Sequence, residues 1–161
     1  MTNADYHLAQ VNIGRMLGPI DGPVMADFVA QLDEINALAE SQPGFVWRLA
    51  GEENNATHLR VFDDEMMIIN MSVWQDLDAL YQFTYYSGHI EVFRRRREWF
   101  SMMTTPYMVM WYVPAGTLPT PQDAKAKLEY VEQHGPTPLA FTFKQRFTVE
   151  EMLACTPMQS G

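Results

Sequence analysis

Polar and apolar residues alternate over the first strand-like segment of the chain. Between His7 and Arg15 the even positions hold Leu8, Gln10 and Asn12, whereas the odd positions from 9 to 13 are all apolar. This period of two predicts a β-strand with one purely apolar face and one mixed face.

Three further segments, 45–49, 66–74 and 107–113, have the length and composition of strands. The segment 107–113, and 66–74 near its start, are apolar at odd and even positions alike, which is typical of strands buried on both faces. We therefore expect the sheet to be covered on both sides. Helices are expected to cover one side only, so the other needs extra chain segments or a second subunit.

Apolar residues at helical spacing separate these strands. A stripe after Pro23 predicts the first helix and is made by Val24, Phe28, Leu32, Ile35 and Ala39. Two more helices are predicted over about 76–85 and 89–100, and a fourth begins at the cap Thr120 followed by Pro121.

The order βαββααβ, followed by a helix and an edge strand over 139–147, predicts an α+β fold. The first four strands with their helices match a ferredoxin-like βαββαβ sandwich with an antiparallel sheet. At 161 residues the chain is long enough for one such domain, which we place at 1–147. We expect residues 148–161 to be a weakly ordered C-terminal tail.

Charge and cysteine content exclude several kinds of partner. The formal net charge of −9 argues against binding to nucleic acid or to an anionic membrane surface. No stretch has the length of a membrane span, and the one cysteine, Cys155, cannot form an internal disulfide. These features predict a soluble cytoplasmic protein. Its twelve methionines and nine phenylalanines are residues that often line adaptable apolar cavities.

A few polar residues interrupt the otherwise apolar strands: Asn12, Arg48, Asn70 and Ser72. Strands one and three are central neighbours in a ferredoxin-like sheet, so Asn12 and Asn70 are expected to converge. A buried amide without a hydrogen-bond partner costs about 1–3 kcal/mol. These amides must therefore bind either one another, as a structural network, or a ligand.

His89 opens the helix predicted over 89–100 and shares one helical stripe with Phe93, Arg96 and Phe100. An imidazole titrates near neutrality and suits proton transfer or haem ligation. Together with a guanidinium and two rings it would fit a planar anionic ligand. The histidines lack the close spacing of a zinc site, so we expect no metal; they are His7, His58, His89 and His134.

The chain resembles the dimeric α+β barrel superfamily, whose best-known branch is the antibiotic-biosynthesis monooxygenases. The shared features are Trp74, Leu77, Ala79-Leu80, Ser87 and His89. Within that superfamily, the run from Leu8 to Phe147 looks like a bacterial family known only as a domain of unknown function. The specific segments are GFVWRL (44–49), SGHIEVFRRRREWF (87–100) and HGPTPLAFTF (134–143). The resemblance implies a homodimer in which two sheets pack face to face.

The resemblance also implies a function. In cofactor-independent monooxygenases of the superfamily an amide and an indole hold a phenolic substrate, and Asn70 and Trp74 are similar to that pair. It implies an enzyme without a cofactor that acts on a flat aromatic or polyketide-like molecule, by oxygenation or by proton transfer in cyclisation or isomerisation. The alternative is a small-molecule binding protein without catalysis, with haem as the leading ligand, His89 as its axial ligand and Arg94 to Arg97 near the propionates. A ligand-free dimer is a third interpretation.

The predicted pocket lies between the sheet and the helices and takes a small hydrophobic or aromatic molecule. Its catalytic candidates are His89, Asn70 and Trp74. Its substrate-binding candidates are Asn12, Trp47, Arg48, Tyr85, Phe93 and Arg96. Trp47 and Arg48 point to opposite faces of their strand, so at most one of them can line this pocket.

Overall fold

A computed structural model describes residues 5–49, 67–86, 94–102 and 106–155. The strands are β1 (Tyr6–Arg15), β2 (Phe45–Arg48), β3 (Met67–Trp74) and β4 (Met108–Pro114). The helices of the described residues are α1 (Ala26–Glu40), α2 (Leu77–Tyr86), α3 (Arg96–Trp99), α4 (Pro121–His134) and α5 (Val149–Cys155). No helix within these ranges is long and apolar enough to cross a membrane.

The strands form one antiparallel sheet in the order β2-β3-β1-β4. The central pair, β1 and β3, places Gln10 opposite Ser72 and Asn12 opposite Asn70. This strand order, with α1 and α2 in the connections, is that of a ferredoxin-like βαββαβ unit. The predicted α+β class with an antiparallel sheet is therefore confirmed.

One face of the sheet, here called the apolar face, carries the odd-numbered residues of β1. Ala9, Val11 and Met71 are almost completely buried on it. Helix α4 packs against this face through Ala124, Leu128 and Val131. Of the two alternatives for covering this side, extra chain segments or a second subunit, the structure shows the first, because α4 folds over it.

Helix α4 begins and ends as its sequence predicts. The Thr120 hydroxyl accepts a hydrogen bond from the Asp123 backbone N–H at 3.1 Å, and the Asp123 carboxylate accepts one from the Thr120 N–H at 2.9 Å. This reciprocal pair satisfies two backbone donors that the first turn leaves without partners. Gly135 ends the helix with φ +72°, a conformation that costs glycine little.

The opposite face, here called the mixed face, carries the even-numbered residues of β1 and lies under α1 and α2. Leu80 and Phe83 of α2 and Ala39 of α1 are buried against Leu8 and Trp74 of the sheet. A separate apolar cluster covers the other end of this face and contains Met16, Met25, Phe28, Ile68, Trp99 and Phe100. The mixed face thus has an apolar cluster at each end.

The C-terminal part differs from the prediction in two ways. The segment 139–147 is not a strand: only Phe141 pairs with β4, through two backbone hydrogen bonds to Met110 of 2.8 and 2.9 Å. Residues 149–155, expected to belong to a weakly ordered tail, form α5 with Val149 and Met152 buried. Thr148 and Glu151 cap this helix reciprocally, and that capping-box pattern was present in the sequence.

Candidate functional site

Five side chains on the mixed face form a connected hydrogen-bond network, here called the polar ladder: Gln10, Asn12, Asn70, Ser72 and Trp74. The Trp74 indole N–H donates to Ser72 Oγ at 2.8 Å, and Gln10 Nε2 donates to the same oxygen at 2.7 Å. Gln10 Nε2 also donates to Asn70 Oδ1 at 3.1 Å. Asn12 Nδ2 donates to Gln10 Oε1 at 3.2 Å and to Asn70 Oδ1 at 3.3 Å.

The pairing of β1 with β3 builds this ladder. Leu8 stands opposite Trp74, Gln10 opposite Ser72 and Asn12 opposite Asn70. Directly opposed residues of an antiparallel pair share one face and lie within side-chain reach. The expected convergence of Asn12 and Asn70 is therefore observed, and it includes Gln10 and Ser72 as well.

The ladder runs from the core to the surface. Trp74 is fully buried, Gln10 is 4% exposed and Ser72 is 7% exposed. Asn12 is half-buried and Asn70 is exposed. The outer end of the ladder, at Asn70, is therefore the part that a ligand from solvent can reach.

The hydrogen bonds within the ladder determine which donors and acceptors are left to bind a ligand. Ser72 Oγ accepts two bonds, from Gln10 and Trp74, and Asn70 Oδ1 accepts two, from Gln10 and Asn12. Each of these oxygens has two lone pairs, so both are fully used as acceptors. Among the described residues, neither the Ser72 hydroxyl hydrogen nor the Asn70 Nδ2 group has an acceptor, so both remain as donors.

Aromatic rings form the wall at the Trp74 end of the ladder. The Trp74 ring stacks on Phe83 with centroids 5.1 Å apart and meets Phe45 edge-on at 5.4 Å. With its ring enclosed and its N–H bound to Ser72, Trp74 supports the floor of the site rather than presenting its indole at the surface. This differs from the direct substrate contact that the resemblance implied.

Phe100 forms the wall at the other end. Its ring lies directly over Gly14, where an added Cβ would come within 2.6 Å of Phe100 Cδ1. Gly14 stands opposite Ile68, and these two residues form the next pair on the same face after Asn12 and Asn70. Phe28 meets Phe100 edge-on with centroids 5.1 Å apart. The outer end of the ladder is therefore bordered by an apolar surface.

Of the two alternatives on β2, Arg48 shares the mixed face and Trp47 does not. Arg48 stands opposite Ser72, and its Nε donates to Glu40 Oε2 of α1 at 2.8 Å. Its side chain is only 8% exposed. Trp47 packs with the cluster on the apolar face. Trp47 is thus removed from the list of candidate pocket residues.

Several predicted site residues are not brought to the ladder by the described part of the structure. Tyr85 is 37% exposed and packs against Tyr81 and Phe143, with centroids 4.8 and 5.5 Å away. His89 and Phe93 lie outside the described residues, as does the side chain of Arg96.

Arg95 is engaged in ion pairs that the haem interpretation did not foresee. It binds both carboxylate oxygens of Glu98 at 2.9 Å and Asp27 Oδ2 at 3.0 Å. The hydrogen bonds from Arg95 lower the pKa of the Glu98 carboxyl. This arginine therefore has acidic partners within the chain and fastens the segment before α3 to the first turn of α1.

Gln10 and Ser72 were missed as candidate site residues, although both carry the ladder. The signal was available, because Gln10 shares its strand face with Asn12 and Ser72 shares its face with Asn70. Asn36 of α1, a buried polar residue at 8% exposure, also had no place in the prediction. Within the ranges that the structure describes, no group of three or more His, Cys, Asp or Glu side chains could hold a metal ion.

Residues 7–156 match the family described as Domain of unknown function (DUF3291). No functionally curated protein matches the chain significantly.

Solved structures with a similar fold include SnoaB, a cofactor-independent oxygenase from Streptomyces nogalater. It is 23% identical, with a TM-score of 0.46 over 71% of this chain and 98% of that chain. A conserved protein from Methanosarcina mazei Go1 is 11% identical, with a TM-score of 0.49 over 70% and 95%. NE2512, a protein of unknown function from Nitrosomonas europaea, is 11% identical, with a TM-score of 0.46 over 73% and 97%.

Proposed function

The chain belongs to the DUF3291 family, and we propose that it is a small-molecule enzyme that works without a cofactor on a flat aromatic or polyketide-like substrate. The proposed reaction is oxygenation, or proton transfer in a cyclisation or isomerisation. One observation supports this proposal above all: a polar ladder that begins in the core ends at the exposed amide of Asn70, between two apolar clusters.

The composition of this surface would suit a flat molecule with a polar edge. Small-molecule sites are mostly apolar with a few convergent polar groups that fix the orientation of the ligand. Here the aromatic clusters around Trp74 and Phe100 supply the apolar part. Asn70 and Asn12 supply the polar part. The ring system of the substrate would lie against the apolar walls with its oxygen at the amides.

The chemistry would use the substrate's own electrons. An activated phenol or enol that loses a proton becomes an electron-rich anion, which can react with oxygen directly or be reprotonated at another carbon. Amide donors held in place stabilise the negative charge that develops on the substrate oxygen. Asn70 would do this, with Arg48 nearby on the same face, and His89 is the proposed proton carrier.

Oxygen consumption in the presence of 1,8-dihydroxyanthrone, without any added cofactor, tests the proposal. We expect the wild type to accelerate oxygen uptake over the uncatalysed rate, and Asn70→Ala to lose about 10²-fold of that acceleration because a donor to the developing anion is removed. Gln122→Ala, an exposed change on α4, is the control and should keep full activity. An anthrone that binds at the site without any acceleration would contradict the enzymatic proposal.

Binding without catalysis is the alternative outcome, with haem as its leading ligand. A Soret band on addition of hemin, lost in His89→Ala, would favour it over the enzyme. The ion pairs of Arg95 with Asp27 and Glu98 already occupy one of the arginines expected to meet the propionates.

A further inference from the structure

We infer that Gln10 is a positioning residue that turns the amide of Asn70 so that its Nδ2 group, not its oxygen, faces the ligand. The site would then select a ligand oxygen that only accepts hydrogen bonds, such as a phenolate, an enolate or a carbonyl, over a neutral hydroxyl. This inference rests on the proposed function only in assuming that a ligand binds at the outer end of the polar ladder.

Gln10 has the burial and the contacts that this role requires. It is 4% exposed, so its carboxamide has to satisfy its donors inside the protein. Its Nε2 group donates one hydrogen bond to Ser72 Oγ at 2.7 Å and one to Asn70 Oδ1 at 3.1 Å. Its Oε1 accepts from Asn12 Nδ2 at 3.2 Å. These three hydrogen bonds fix the orientation of both polar atoms of the side chain, Nε2 and Oε1.

Asn70 has the reverse situation. Its oxygen receives both Gln10 Nε2 and Asn12 Nδ2, which fill its two lone pairs. Within the described part of the chain its Nδ2 group has no acceptor, and because the residue is exposed this group is left for the ligand. An anion accepts such a hydrogen bond more strongly than a neutral hydroxyl does, since hydrogen bonds to charged groups contribute about 1.5–3 kcal/mol.

The direction of the ladder matters because the three amides could also be turned together. If Gln10 presented its oxygen to Ser72 and Asn70, then Asn70 would donate inward and show its own oxygen to the ligand. The site would then prefer a ligand that donates a hydrogen bond, such as a neutral phenol. The two directions therefore predict opposite ligand preferences, and the residue that decides between them is Gln10.

The test uses 7-hydroxycoumarin, whose phenol and phenolate forms absorb at different wavelengths. The affinity of wild-type protein for each form is measured by titration at pH values on both sides of the probe's ionisation. We expect phenolate to bind at least about tenfold more tightly than phenol, because about 1.4 kcal/mol corresponds to a factor of ten. The measurement needs no turnover, so it is independent of the reaction proposed above.

Two substitutions separate the role of Gln10 from simple packing. Gln10→Met keeps an unbranched side chain of similar length but donates nothing to Asn70, and should bring the phenolate preference close to equality. An ionised carboxylate in Gln10→Glu can only accept hydrogen bonds, so Asn70 would donate to it and turn its own oxygen toward the ligand. This variant should therefore reverse the preference toward phenol. Gln122→Glu makes the same chemical change on the exposed surface of α4 and should leave it unchanged. The uncharged Gln10→Met variant excludes charge repulsion as the cause.

Each result decides the matter. Equal binding of the two forms by wild type, a preference for phenol, or a phenolate preference that survives in a folded Gln10→Met protein would overturn the inference while leaving the proposed function standing. If both Gln10 variants unfold, the Asn70 Nδ2 resonance of wild type decides instead, since the inference requires it to shift when phenolate binds. A wild type that binds neither form contradicts both proposals.

Discussion

Ser72 is the residue at which the candidate site meets the hydrophobic core. Its hydroxyl oxygen accepts hydrogen bonds from Trp74 on the core side and from Gln10 on the ladder side. Both donors belong to buried residues, and Gln10 Nε2 also donates to Asn70 Oδ1 at 3.1 Å. Ser72, the smallest side chain of the ladder, therefore connects the ladder to the core. Substituting it should lower the stability of the protein.

Ser72→Ala should destabilise the protein by about 2–6 kcal/mol, because it leaves two buried donors without an acceptor at roughly 1–3 kcal/mol each. Equilibrium unfolding in urea measures this loss. Ser41→Ala, at an exposed hydroxyl that donates to the Leu38 carbonyl, serves as the control and should cost less than about 0.5 kcal/mol. A loss for Ser72→Ala as small as that of the control would show that the indole and the amide find other partners.

Gly14→Ala should destabilise the protein by about 1–3 kcal/mol, because its methyl group collides with the ring of Phe100. The same substitution in a Phe100→Ala background should cost clearly less, since the ring is gone. A double-mutant cycle of unfolding free energies measures the coupling between the two residues. Independent, additive effects would mean that Phe100 does not rest on the sheet at Gly14.

The alternation of side chains along a strand predicted that Asn12 and Asn70 converge. It could not decide which of Trp47 and Arg48 on β2 lies on the same face as these amides. Asn12 and Asn70 lie on one face as the alternation predicts, because β1 and β3 pair without interruption. In β2 the pairing shifts between Phe45 and Trp47, so that Phe45 lies opposite Trp74 and Trp47 opposite Val73. A bulge of this kind moves the following residues to the other face. Only the structure could therefore choose Arg48 over Trp47.

At the scale of elements, the strands and helices with clear local signals were predicted and those set by distant contacts were not. The helix after Thr120 was predicted from its cap and its stripe of Ala124, Leu128 and Val131, yet its place on the apolar face depends on the whole sheet. The segment 139–147 has the composition of a strand. It folds into turns instead, with Thr137 bridging Ala140 and Thr142 bridging Gln145.

Tyr112 connects β4 to this C-terminal segment and should make stability depend on pH in the alkaline range. Its hydroxyl donates to the Phe147 carbonyl at 2.7 Å. Burial, assisted by the charges of Glu150 and Asp76, raises the pKa of Tyr112 to about 12. An unfolded tyrosine titrates near about 10, so the contribution is fully present below that pH and is lost as the pH rises toward 12.

Tyr112→Phe should therefore flatten the fall in unfolding free energy between about pH 10 and pH 12 relative to wild type, because the residue that the folded state keeps protonated is removed. Urea unfolding at a series of pH values measures the slope. Gln122→Ala, an exposed change that removes no titratable group, is the control and should leave the slope unchanged. An equal slope in wild type and Tyr112→Phe would show that burial of the Tyr112 hydroxyl does not cause this pH dependence.

At the scale of the whole molecule, homodimerisation stays a prediction whose rationale has changed. The apolar residues that called for a second subunit are buried within the single chain, with α4 lying over them. Face-to-face packing of two sheets at this surface and the observed position of α4 exclude each other. A homodimer would have to use another surface, or α4 would have to leave the face.

Light scattering at micromolar concentration checks the prediction of a homodimer against the chain mass of 18.5 kDa. A single species of twice that mass confirms it, and a well-folded monomer contradicts it. If a dimer forms, Leu128→Asp on α4 decides where it lies. The substitution buries a charge between α4 and the sheet, so it should unfold the chain if α4 stays on the apolar face.

Native mass spectrometry of the protein with 7-hydroxycoumarin tests most directly whether the outer end of the polar ladder is a small-molecule site. We expect wild type and Gln122→Ala to retain one probe molecule per chain. Asn70→Ala should stay folded and retain none, although the loss of one acceptor of the buried Gln10 lowers its thermal midpoint. Equal retention by wild type and Asn70→Ala would place the binding elsewhere. Loss of folding in Asn70→Ala would make the ladder a structural network, and either result would contradict the account.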